Sequence, residues 1–191
     1  MDYRDYQLAS YKHLSTCQSI LDSISIFTAA KDPNALIIKD LKVSSVLSNV
    51  FYLSGYTLEG IINYAIYKHF KWKLPSVQET DHSFSNKCDL SFFPNCQRKT
   101  GGTYNYCISL HQFQRNIQVL TKALPSSGIP LIDRSVAIDP TVLKLFMAWT
   151  VEVRYHKVAA NYSTVPINLA NVTKFVDATD LVYNGLMKLV G

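Results

Sequence analysis

No apolar run in this chain approaches the ~20 residues that a membrane-crossing helix needs. The longest candidates are broken by Asn49, Glu59 and Lys68. Cysteine is scarce as well: four in 191 residues do not suggest a disulfide framework. No block of like charge resembles a nucleic-acid-binding arm, so sequence-specific DNA binding is not expected. The chain also lacks internal repeats and low-complexity tracts, and few segments hold the period-2 alternation of a half-buried strand. The opening Met1-Asp2-Tyr3-Arg4-Asp5-Tyr6 places acids where a secretory leader would be basic and then apolar. The expectation from these absences is a soluble, cytoplasmic protein with no membrane partner.

What is present is apolar material in helical register. Hydrophobic residues make up 48% of the chain, enough for a substantial core, and the length suits one domain, 1–191, carrying an insertion. Five segments repeat at helical spacing. The first, about 3–29, has Tyr6, Cys17, Ile20, Ile24 and Phe27 near one face, and the second covers about 43–70. The third, about 106–124, aligns Leu110, Phe113, Ile117, Leu120 and Leu124. The fourth starts at Asp139-Pro140, an N-cap followed by a first-turn proline, and runs to about His156 through Val142, Leu145, Phe146, Trp149 and Val153. The fifth, about 168–190, repeats Val172, Phe175, Val176, Thr179, Val182, Leu186 and Leu189. The predicted fold is an all-α, up-and-down bundle of about five helices.

Two stretches interrupt the pattern. Residues 71–105, with Pro75, Pro94, Gly101-Gly102 and many Ser, Asn and Asp, read as an irregular insertion between the second and third helices. Residues 125–139, with Pro125, Gly128 and Pro130, read as a second long connection. His82, Cys88, Cys96, Cys107 and His111 supply enough ligands for zinc, but only Cys107 and His111 have a favourable spacing. Reduced cysteines packed as small hydrophobes are the reading preferred, and no metal or cofactor is expected. Arg98-Lys99-Thr100-Gly101-Gly102-Thr103 lacks the order of a phosphate loop and reads as a flexible basic turn. Trp72, Phe84, Phe92 and Phe93 would pin the insertion to the bundle, with an aromatic lid over a cleft as the alternative.

Two runs carry more specific information. In Leu53-Ser54-Gly55-Tyr56-Thr57-Leu58-Glu59-Gly60-Ile61-Ile62, apolar positions continue through Ala65 and Ile66 as one stripe. Gly55 and Gly60 each weaken a helix by roughly 0.8–1 kcal/mol relative to Ala, so a close neighbour should offset them. Glu59 adds a carboxylate beside that close-packed surface. The second run, Ala148-Trp149-Thr150-Val151-Glu152-Val153-Arg154-Tyr155-His156, anchors Trp149 in the core and sets Arg154 one turn after Thr150. The first run resembles the Gly-Tyr-x-Leu-Glu signature in the second helix of HEPN domains, the nucleotide-binding helical domains of higher eukaryotes and prokaryotes. The second resembles their Trp-x4-Arg-Tyr ending, and His111 leads the helix between the two. The resemblance covers about 43–70 and 106–190, and the insertion has no counterpart in a minimal domain of that family.

The resemblance implies a homodimer with a polar cleft at its axis, lined by Glu59 and Arg154 with Tyr56 and Tyr155 alongside. It further implies a module that binds nucleotides, or that pairs with a minimal nucleotidyltransferase in a toxin–antitoxin-like system. Independently of the family, a guanidinium fork suits phosphate oxygens, and the net charge of +5 favours an anionic ligand. The competing assignments are a structural Glu–Arg pair in a pure protein-interaction bundle and a metal-independent HEPN ribonuclease with a displaced catalytic residue. Many HEPN ribonucleases follow their Arg by His four to six positions later. Here His156 follows Arg154 by two, about 200° around a helix, so no catalytic residue is assigned and a self-sufficient enzyme is not expected.

Overall fold

The computed structural model describes residues 3–29, 35–69, 97–98, 104–105, 113–154 and 165–191. They form five α-helices: α1 (Tyr3–Ala29), α2 (Ala35–His69), α3 (Phe113–Ala123), α4 (Pro140–Ala148) and α5 (Leu169–Val190). A short 3-10 helix, η1 (Val151–Arg154), follows α4. Within the insertion, β1 (Gln97–Arg98) and β2 (Tyr104–Asn105) pair antiparallel, with Gln97 opposite Asn105. Among the described residues this two-residue pair is the sole strand pairing in an otherwise all-α helical bundle, and residues 99–103 of the basic run lie outside the described residues. Among the described residues no helix is long and apolar enough to cross a membrane.

The core is built around α2. From Thr57 to Tyr67 every residue of this helix is buried, so the amphipathic stripe expected here has no wet opposite face. The composition explains it: Glu59 is the one charged residue in that stretch, and a helix apolar almost all round is stable only when sheathed. α1, α3, α5 and η1 all pack against it. α1 lies antiparallel on α2. Tyr6 stacks on Tyr67 with centroids 6.0 Å apart, Ser10 meets Gly60, His13 faces Tyr56, and the Cys17 thiol donates to the Val50 carbonyl at 3.5 Å. A Cβ on Gly60 would lie 2.9 Å from the Tyr6 carbonyl oxygen, so this glycine lets the two backbones approach. On another side Phe51 meets Phe175 of α5 edge-on at 5.1 Å.

Boundaries differ from the periodicity in informative ways. α2 begins at Ala35 rather than near 43, because Ala35–Leu41 holds helix-compatible residues with no Pro or Gly among them. Leu110 and Phe27 lie outside the side chains described. At the far end of α5, Leu189 is 49% exposed while Tyr183 and Val190 are buried; the stripe drifts around the helix because its period is not a whole number. α5 is capped by Asn168, whose side chain accepts from the Asn171 amide at 2.9 Å.

The connection after α3 is folded onto the bundle rather than looped away from it. Ile129 and Ile132 are buried, and Gly185 of α5 makes room for Ile129. Asp133 accepts from the Gly128 and Ser135 amides and the Ser135 hydroxyl, all within 2.7–2.9 Å. The Ser135 hydroxyl, and then those amides, hold its carboxyl below the usual range. Leu131, at φ +69°, is held in the left-handed region by this clamp and by its buried neighbours.

Asp139 is the N-cap of α4, as its Asp-Pro order predicted, accepting from the Thr141 amide at 2.7 Å while Lys174 of α5 donates to its other oxygen at 2.9 Å. The Lys174 hydrogen bond, followed by the Thr141 amide, lowers its pKa from 3.8 to about 2. A depressed carboxylate contributes stability above its unfolded pKa and loses it as pH falls through the folded one. Asp139→Asn keeps a capping oxygen but loses the charge. Its melting temperature is expected to lie below that of the wild type at pH 7, and the two should converge as pH falls from about 4 to about 2. A gap that persists at the acid end would place the effect elsewhere.

Candidate functional site

The fourth helix stops at Ala148, about two turns short of the end near His156 that the periodicity implied. Trp149 is its C-cap, in an extended conformation (φ −69°, ψ 129°), and the chain resumes as η1. The cause is visible in the contacts. The indole is seated against Gly55 of α2, where a Cβ would overlap its ring, and its N–H donates to the Tyr52 carbonyl at 3.1 Å. Ending the helix leaves carbonyls without partners, and Gln114 of α3 supplies them: its amide nitrogen donates to the Phe146 carbonyl at 3.0 Å and the Trp149 carbonyl at 2.8 Å. The β-branched Thr150, Val151 and Val153 give little incentive to continue. Gly55 does face a close neighbour, and that neighbour is a side chain.

Trp149 is the hub of an aromatic cluster. Tyr56 meets it edge-on at 5.5 Å, Phe113 lies 5.0 Å away, and Tyr52 stacks loosely at 6.5 Å. Tyr52 and Tyr56 are themselves edge to face at 4.8 Å, and Phe113 touches Phe146 at 5.0 Å. Tyr56 is thus half-buried as a packing partner of Trp149. On its other side stands the His13 ring of α1, 6.1 Å from it. Burial, and then the charge of Lys12, push the His13 imidazole below its usual pKa.

Glu59 follows Tyr56 by one turn and is 4% exposed. At 100° per residue, Tyr52, Tyr56, Glu59 and Asn63 fall within about 60° of one another around α2. One side of that stripe meets Trp149, and its far end meets α3, where Asn116 donates to the Asn63 side-chain oxygen at 2.9 Å. Glu59 therefore belongs to a polar-aromatic seam between α2 and the α3–α4–η1 side of the bundle. Arg154 is described by its backbone, which closes η1, and η1 packs on α2. Tyr155 and His156 lie outside the described residues, as do His82, Cys88, Cys96, Cys107 and His111. Among the described residues no group of three or more His, Cys, Asp or Glu could hold a metal ion.

Three residues of this seam were not picked out from the sequence. Asn63 follows Glu59 at i+4, a spacing that marks a shared face, but it falls between the apolar positions of the stripe and the sequence assigns it no role. Asn116 sits inside the α3 stripe between Phe113 and Ile117, and polar residues in such positions signal buried pairing. Gln114 gave no sequence signal, since its role depends on where α4 ends. No family model matches the chain, and no curated protein or solved structure is significantly similar to it.

Proposed function

We propose that this chain is an HEPN-like binding module of the non-nuclease branch, acting in the cytoplasm as a homodimer. Glu59 and Arg154, with Tyr56 and Tyr155, line a polar cleft that takes a nucleotide phosphate or an acidic segment of a partner protein, for which a minimal nucleotidyltransferase is the leading candidate. The observation that carries the reading is Glu59. A carboxylate kept inside the core requires a charged or hydrogen-bonding companion, and η1, which packs on α2, ends in Arg154. A guanidinium oriented by a buried carboxylate is suited to grip phosphate in a bidentate manner. Trp149, wedged into α2 at Gly55, determines where that segment begins.

Calorimetric titration with nucleoside triphosphates tests the reading. Wild-type protein is expected to bind in the micromolar to submillimolar range. Arg154→Lys keeps the charge without the fork and should weaken binding roughly tenfold or more, with the helical circular dichroism unchanged. No binding up to millimolar nucleotide, with the fold intact, would leave the protein-interaction bundle standing. Degradation of single-stranded RNA in chelator that Arg154→Lys abolishes would promote the ribonuclease instead.

A further inference from the structure

Asn63 is wholly buried, and its side chain is only half satisfied. Its oxygen accepts from Asn116. Its amide nitrogen has no hydrogen-bond partner among the described residues. Turning the Asn63 amide alone would set two NH2 groups against each other. Turning both asparagines would merely exchange an unpaired donor for an unpaired acceptor at the same place. A buried donor without an acceptor is costly, and native cores rarely tolerate one. The same stripe carries a group able to help: Glu59, one turn earlier, has a carboxylate with about four lone-pair sites. Cβ atoms at i and i+4 are about 5–6 Å apart, a span that one water molecule closes when the side chains do not meet directly.

We propose that an internal water molecule is bound at this point, accepting from Asn63 Nδ2 and donating to the Glu59 carboxylate. The resulting chain, Glu59–water–Asn63–Asn116, is a built hydration site inside the bundle. It links the buried carboxylate of α2 to α3 and limits the positions Glu59 can adopt. Both polar partners are buried and lie one turn apart on one helix, and buried water is retained where such groups converge. It does not depend on nucleotide binding, so it stands or falls separately from the function proposed above.

The test is water–protein cross-relaxation by NMR on labelled wild-type protein, which needs no substitution. The Asn63 side-chain NH2 protons are expected to show a direct cross-peak to water, with the sign of a residence time longer than nanoseconds. Glu59→Gln keeps an acceptor and should retain the cross-peak. Glu59→Met removes the second anchor and should abolish it or weaken it severalfold, while the Asn63–Asn116 contact survives. Absence of the cross-peak in wild type would overturn the site. A cross-peak unchanged in a folded Glu59→Met would overturn the bridge to Glu59.

Discussion

Replacing Trp149 by Ala is expected to lower the unfolding free energy by about 3–5 kcal/mol, measured by urea denaturation followed by far-ultraviolet circular dichroism. Trp149 is 1% exposed. It touches Tyr52, Tyr56, Phe113 and Gly55 and satisfies its own N–H on the Tyr52 carbonyl. Removing it opens a cavity against a glycine, which has no side chain to relax into the space, so the cost should fall toward the upper end. Trp149→Phe should recover part of the loss while forfeiting the indole hydrogen bond. A change below about 1 kcal/mol for Trp149→Ala would mean the indole is not the knob that joins η1 to α2.

Gly55→Ala should be destabilising, against intrinsic preference. In an exposed helix this change gains roughly 1 kcal/mol, and the residue is helical. Here the added methyl would overlap the Trp149 ring, and overpacking a filled core costs about 1–3 kcal/mol. The decisive comparison is the pair. In a Trp149→Ala background the methyl enters empty space, so Gly55→Ala should turn neutral or stabilising, with a coupling of roughly 1–3 kcal/mol in the double-mutant cycle. Additive effects would show that Gly55 is constrained by something other than the indole.

Much of this architecture is legible in the residues, for definite reasons. The Asp139-Pro140 start, the buried faces of α4 and α5, and the need for close approach at Gly55 and Gly60 are local matters of capping, periodicity and helix propensity. The end of α4 was not legible, because the break at Trp149 is set by a pocket on α2 and by Gln114 on α3, both distant in sequence. The same holds for the seam. Glu59 is conspicuous as a charge in an apolar run, whereas Asn63 and Asn116 become meaningful only once α2 and α3 are side by side. A stripe tells which face is buried; it does not tell that the opposite face is buried too, as in the Thr57–Tyr67 stretch of α2.

That all-round burial has a bearing on how the protein is made. α2 ends at His69, but one of the helices covering it, α5, does not begin until Leu169. At the usual elongation rates of about 5–20 residues per second, the side of α2 around Phe51 waits on the order of ten seconds for Phe175 to leave the ribosome. Until then α1 and α2 can pair as a hairpin, which leaves much of an apolar helix facing water. A nascent chain in that condition is a natural client for chaperones, and synonymous changes that slow translation between α2 and α5 would prolong its exposure without altering a single residue.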